Sequence, residues 1–454
     1  MKRLVVGEHT RIQRGRGDDA DDGERVWLDD HLYDRLRALD RGAPDERDRV
    51  LEWSDGHART TQWVGVVQVP GVQLEILPKI DVLADDDAAD PEDARFAARR
   101  NLLYMLSVSG DVPVRTRDVA RLATRQAPLT ETLAAIFADR LRQELLRGPE
   151  RAYIAHEENL RCFKGKLGLA RHVLHNAAHR ERFYCRHDEL VDDTLMNRIF
   201  RAACRLLLEV TRAPATQDVL RQCLLLLDGV SDAPVQDADF DRVSITRQNE
   251  RFEDVLRFAR IVLARRAPMV ESGGARTFSL LFDMNRVFER FVAGFLRRHV
   301  MARLGDLDVL PQGGDRKRHL MTSDGAGVLR LEPDVLIVEG DRPRLVMDTK
   351  WKLLAAGKRG KGGVGDADLY QLHAYTRRYG CPRSVLLYPY IPGLEERTFE
   401  VLDHDGTPRE RIAIRHVRLH RDLHKEGERA ALADELERIV REGLAGDGAA
   451  GSAA

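Results

Sequence analysis

The chain has 454 residues, of which 43% are hydrophobic and 32% charged, with a formal net charge of -1. A length of this kind holds roughly two to four domains, and no uninterrupted apolar run reaches the roughly 18 residues a membrane-spanning helix needs. Near neutrality also excludes a protein that grips nucleic acid through overall basicity, so such a contact requires local basic surface or a partner.

The opening MKRLVVGEHTRIQRGRG contains basic residues but an apolar stretch too short for a secretory signal. Five cysteines, 162, 185, 204, 223 and 381, are scattered and never form C-x-x-C. Both features lead to the expectation of a cytoplasmic chain with reduced thiols and no zinc ribbon.

Residues 1–110 are expected to form a β-rich module. Its clear signal is TQWVGVVQVPGVQLEILPKI, in which Pro70-Gly71 interrupts an alternating pattern and predicts a hairpin of 61–69 with 72–77. An Asp- and Ala-rich insertion at 81–93 is expected to be exposed. Residues 111–265 are expected to be a mainly helical middle domain, with helical periodicity over 129–146, 194–211 and 252–265. Within it Arg161, Lys164, Lys166 and Arg171 either track a phosphate backbone or form a solvated face. His172, His175 and His179 fall near one helical face without a carboxylate or cysteine at ligand spacing.

Residues 266–425 carry the chemistry. A stripe of apolar residues at 281, 284, 288, 291, 292 and 295 predicts a helix over 278–300, with Glu289 at the edge of the stripe. Next comes LEPDVLIVEGDRPRLVMDTKWK at 331–352. Two apolar, β-favouring runs flank a Gly-Asp-Arg-Pro turn at 340–343, which predicts an antiparallel pair. Asp334 starts the first strand, Asp348 ends the second, and Lys350 follows two residues later. Closing the hairpin brings the two acids together, and period-two alternation puts Asp348 and Lys350 on one face. Two close carboxylates call for a cation between them, and an all-oxygen site suits Mg²⁺. With a lysine beside them they have the chemistry of phosphodiester hydrolysis, although the same residues also fit a solvated ion pair at a strand end.

A helix over 369–379 carries Gln371 and Tyr375 four apart, and further strands are expected at 384–391 and 411–419. The Gly- and Lys-rich stretch at 355–367 either clamps a phosphate strand or is a plain flexible loop. It lacks the G-x-x-x-x-G-K-[ST] pattern, as does every other stretch, so the chain itself is not a nucleotide-driven motor. Residues 426–454 are expected to give a helix over 426–442 and a disordered tail.

The order helix, strands, helix, strand resembles the PD-(D/E)xK nuclease core. LLFDMNRVFERFV at 280–292, LEPDVLI, MDTKWK, DLYQLHAY at 368–375 and, upstream, GVQLEILPKI with RNLLYML resemble the McrC family, the nuclease subunits of McrBC-type, 5-methylcytosine-specific type IV restriction systems. This resemblance implies a multidomain α/β protein ending in a restriction-endonuclease-like core at 266–425. It implies an Mg²⁺-dependent DNA endonuclease of anti-phage defence, with Asp334, Asp348 and Lys350 as catalytic residues. Asp334, Asp348 and Glu289 would bind the metal, with the Thr349 carbonyl as a further ligand and Gln371 and Tyr375 in support. It further implies an McrB-like AAA+ GTPase oligomer that docks on residues 1–110 and binds the GTP, and modified double-stranded DNA as substrate. Two rival readings stay open: a self-sufficient nuclease, and a non-cleaving adaptor of an AAA+ ring.

Overall fold

The computed structural model describes residues 2–15, 25–40, 49–79, 91–113, 127–264, 278–352, 354 and 363–445. Most of the Asp-rich insertion (80–90), most of the Gly- and Lys-rich stretch (355–362) and the tail (446–454) therefore lie outside the described residues. The architecture is mixed α/β and divides into two compact units, residues 1–129 with 266–454, and residues 130–265.

In the first unit the hairpin read from the sequence is present. Trp63–Val69 pairs antiparallel with Val72–Leu77 across Pro70-Gly71. Lys2–Gly7 joins Val72–Leu77 in parallel, and Phe278–Asp283 joins Trp63–Val69 antiparallel, giving a four-stranded sheet. The last pairing corrects the expected helix over 278–300. Its first six residues form a strand, and the α-helix is Met284–Phe295, opened by the Asp283 carboxylate accepting from the Asn285 N–H. Periodicity alone misassigns this stretch because FSLLF is apolar throughout and fits a fully buried strand as well as a helix.

The first sixty residues, which carry little signal, supply a second four-stranded sheet of Arg11–Arg14, Arg25–Leu28, Leu51–Ser54 and His57–Thr60. Helix Asp30–Asp40 contributes Leu32, Tyr33 and Leu36 to the core that these strands share with Val67, Val72, Leu74 and Ile76. At the helix Pro91–Ser109, Arg99 donates to the buried Glu75 at 2.6 Å, and Arg3 reaches the other oxygen at 2.8 Å. A buried carboxylate held by two guanidiniums fixes this helix against the sheet.

The C-terminal part is built on a six-stranded sheet in the order Leu307–Pro311, Val335–Glu339, Arg342–Thr349, Arg383–Pro389, Pro408–Val417, Arg397–Leu402. The turn is tighter than the expected 340–343: Glu339 pairs with Arg342, so Gly340-Asp341 alone form the loop, with Gly340 at φ +55. Arg342–Thr349 and Arg383–Pro389 run parallel, with helix Asp366–Tyr379 as their crossover. Leu345 and Val385 point to helix Glu426–Leu444, where they touch the Gly443 backbone, while Val346 and Leu386 share a core with Leu372 and Tyr375. Alternation therefore directs Asp348, two residues after Val346, to the side of helix Asp366–Tyr379. A two-stranded ribbon, Arg318–Ser323 with Ala326–Leu331, and the strand Arg397–Leu402 were not legible in the sequence.

In the second unit, helix Leu129–Leu146 packs on Glu253–Ala264 through the Phe137–Phe258 ring contact and meets Pro214–Leu226 where the Cys223 thiol reaches the Ala138 carbonyl, while Phe200 of Leu195–Val210 packs on Phe252, just before Glu253–Ala264. Ala152–Leu160, Lys166–Leu167 and Phe183–Val191 add an antiparallel sheet that helical periodicity did not reveal. Arg171 is tied to Glu157 and Tyr184, and the His175 ring stacks on Tyr184. All five cysteines are free thiols. No helix among the described residues is long and apolar enough to cross a membrane.

Two expectations follow. Gly65 sits at φ +129, and a Cβ there would lie 2.1 Å from the Leu280 carbonyl oxygen. Gly65→Ala should therefore cost at least about 2 kcal/mol and lower the thermal midpoint by prying the Phe278–Asp283 strand off the sheet. Glu8 is 1% exposed, and burial pushes its carboxyl up to about 8 against the hydrogen bonds from Trp351 and the Lys79 N–H. Because the folded state holds this proton more tightly than the unfolded one, stability falls as pH rises from about 4.5 to about 8. Glu8→Gln should flatten that fall, measured as the difference in thermal midpoint between pH 5 and pH 8.5.

Candidate active site

The site forms where strand Arg342–Thr349 ends. Leu345, Val346 and Met347 are fully buried and carry Asp348, 1% exposed, into the interior with them. The register Val335 opposite Met347 places Asp334 beside the end of the partner strand. There the Thr349 N–H and hydroxyl both donate to Asp334 Oδ2, each at 2.7 Å. Lys350 Nζ lies 2.7 Å from Asp348 Oδ2. At that separation the ammonium neutralises the carboxylate.

Lys350 also donates to Gln371 Oε1 at 2.9 Å. Gln371 Nε2 donates to the Tyr375 hydroxyl at 2.8 Å, and that hydroxyl donates to the Glu332 carbonyl at 3.1 Å. Gln371 and Tyr375 thus form a brace from the lysine back to the backbone two residues before Asp334. Their spacing of four keeps them on one helical face.

Glu289, on helix Met284–Phe295, accepts from Gln312 Nε2 at 3.0 Å, while the Gln312 N–H bonds the Asp334 carbonyl at 2.9 Å. Glu289 thereby joins the Asp334 backbone through Gln312.

Burial, followed by the charges of Asp348 and Glu289, pushes Asp334 up to about 8 against the two Thr349 hydrogen bonds. Burial likewise raises Asp348, against the opposing pull of Lys350, and raises Glu289. For Lys350 burial acts to lower the ammonium, but Asp348 and Asp368 outweigh it and leave the ammonium raised. Crowded acids whose protons are held this tightly are relieved by a divalent cation, and an all-oxygen donor set fits a hard ion such as Mg²⁺. Among the described residues no three Asp, Glu, His or Cys side chains are gathered as a ready ligand set. The fit is therefore to the Asp334–Asp348 pair, with Glu289 held off on Gln312.

Three contributors escaped the sequence reading. Asp368, 8% exposed, has Oδ1 3.8 Å from Lys350 Nζ and Oδ2 3.3 Å from Lys352 Nζ. Its position three residues before Gln371 was the available signal. Gln312 had none, since it reaches Glu289 from a separate turn. The third is Trp351, whose indole N–H lies 3.0 Å from each oxygen of Glu8 and whose ring packs on Phe288 at 5.3 Å. No local pattern could announce a contact across more than three hundred residues.

Known proteins with the same traits point in one direction. The whole chain is similar in fold to a chain of the half-complex from a tetradecameric assembly of Thermococcus gammatolerans McrB AAA+ hexamers with bound McrC. That match has a TM-score of 0.64 and 20% identity, and covers 97% of this chain and 100% of the other. A second structure, the Thermococcus gammatolerans McrBC complex, matches with a TM-score of 0.50 and 24% identity, over 66% of this chain and 88% of that one. The Escherichia coli K12 type IV methyl-directed restriction enzyme EcoKMcrBC is 20% identical over 315 residues, 66% of this chain and 88% of the relative. The family model described as McrBC 5-methylcytosine restriction system component matches residues 58–389, which takes in both strands of the acid pair, Lys350, Gln371 and Tyr375. The chain belongs to the family of McrBC 5-methylcytosine restriction system components.

Proposed function

We propose that this chain is the DNA-cutting subunit of a modification-dependent restriction complex, a PD-(D/E)xK-type endonuclease that works with an AAA+ GTPase. The observation that carries the reading is the pairing of a half-buried Asp334 with a buried Asp348, with Lys350 2.7 Å from Asp348. Holding two like charges together away from water costs stability, and a protein retains such a cost where a cation or a reaction uses it.

Asp334 and Asp348 would hold Mg²⁺, with the Thr349 carbonyl and water completing the shell. When bound, Mg²⁺ supplies acidification of a bound water and stabilisation of negative charge on a phosphodiester. The chain's own residues do the rest. Thr349 fixes the Asp334 carboxylate through two hydrogen bonds to one oxygen, which leaves the other for the cation. Lys350 brings a positive charge to the phosphate oxygens as the bond breaks. Gln371, held by Tyr375, keeps that ammonium from swinging into solvent. Glu289 adds negative charge from the helix side, consistent with contact to the cation through water.

The partner is proposed from the relatives, whose structures are of McrB AAA+ hexamers with bound McrC and of an McrBC complex. Because the sequence lacks the G-x-x-x-x-G-K-[ST] pattern, the partner would bind the GTP and select the modified DNA in the cytoplasm.

The test is cleavage of modified and unmodified plasmid by the full chain with Mg²⁺, alone and with the adjacent AAA+ protein and GTP. Cutting is expected only in the complete mixture. Asp348→Ala and Lys350→Ala should each reduce it by about 1,000-fold, and Gln371→Ala by about tenfold to 100-fold. Cutting by the chain alone would establish a self-sufficient nuclease, and GTPase stimulation without cutting would establish an adaptor.

A further inference from the structure

Asp368 is buried beside the site and lies between two ammonium groups. Its Oδ1 is 3.8 Å from Lys350, its Oδ2 is 3.3 Å from Lys352, and Oδ2 also accepts from the Tyr388 hydroxyl at 3.3 Å. It sits in the first turn of helix Asp366–Tyr379, where the helix dipole favours a carboxylate. Lys350 therefore has two carboxylates within ion-pair reach, one at 2.7 Å and one at 3.8 Å, and it donates to Gln371, which lies one helical turn beyond Asp368.

These distances describe a lysine with two seats. In the present arrangement the ammonium neutralises Asp348 Oδ2. A divalent cation on that oxygen competes with the ammonium for it, because like charges at contact repel in a site of low dielectric. Gln371 remains as the pivot, and Asp368 Oδ1 is the carboxylate oxygen next to the departing charge.

We propose that Asp368 is a positioning residue that receives the Lys350 ammonium when the Asp334–Asp348 pair takes a divalent cation. Asp368 keeps the lysine charged and aimed at the site instead of competing for Asp348. Lys352, 58% exposed along its side chain, occupies the other oxygen and keeps Asp368 turned toward Lys350. The inference rests on the nuclease reading for the cation itself.

The test is Ca²⁺ binding to the full chain by calorimetry, which reads affinity without turnover, in wild type, Asp368→Asn, Lys350→Ala and the double variant, with Asp348→Ala as control. Asp368→Asn should weaken Ca²⁺ about tenfold, because Lys350 then stays on Asp348. In the Lys350→Ala background the same substitution should change affinity less than about twofold, since no ammonium needs a second seat. Asp368→Glu should recover most of the loss. Asparagine is isosteric and can still accept from Tyr388, and thermal unfolding checks that the variant is folded. Equal losses in both backgrounds would reduce Asp368 to a distant charge and overturn the proposal, as would no loss in either. If Ca²⁺ bound equally to wild type and Asp348→Ala, or not at all, the cation site and this inference would fall together. Loss in Asp348→Ala with indifference to Asp368→Asn would sink the inference alone.

Discussion

The constraint on which the site depends is the meeting of two aspartates, Asp334 half-buried and Asp348 buried, at the open end of one antiparallel hairpin. Asp334 and Asp348 are brought together by the tight Gly340-Asp341 turn and by a one-residue register shift between Ile337 and Val338, which leaves Val335 opposite Met347. Without compensation such a pair would protonate or pull apart. The surrounding residues supply part of that compensation, although both acids still hold their protons more tightly than usual: Thr349 donates twice to one acid, Lys350 faces the other, and Gln371 and Tyr375 brace the lysine from the crossover helix.

The rest of the first unit holds this hairpin end still. Its N-terminal sheet takes Phe278–Asp283 as an edge strand and hands the chain directly into the helix that bears Glu289. Glu8, from the same sheet, accepts from the indole of Trp351, the residue after Lys350, and the Trp351 ring packs on Phe288, the residue before Glu289. Helix Pro91–Ser109 is anchored from the other side, since Asn101 bonds the carbonyls of Leu419 and Arg421 and the N–H of Leu423, and Asp111 pairs with Arg290. A segment distant in sequence and free of catalytic residues thus contributes to the rigidity that a preorganised site needs.

Lys350 illustrates how such a site divides its charges. Asp348, Asp368 and Gln371 surround one ammonium, so its position reports the balance among them.

By itself, the sequence determined the local elements with strong periodicity or turn chemistry. These were the Pro70-Gly71 hairpin, the two acid-bearing strands, the helix with Gln371 and Tyr375 four apart, and the proximity of Asp348 and Lys350. Each is fixed by alternation, helical spacing or a tight turn within about twenty residues, where the backbone leaves few alternatives. Tertiary structure alone decided whatever depended on a distant partner. FSLLF became a strand because Trp63–Val69 offered an unpaired edge. The polar first sixty residues became a sheet because their few apolar side chains share a core with Val67, Leu74 and Ile76. Asp368, Gln312 and Glu8 acquired their places through contacts across 16 to 343 residues of sequence. Short-range pattern records the geometry of the chain, whereas the pairing of buried charges is settled only when separate elements close around them.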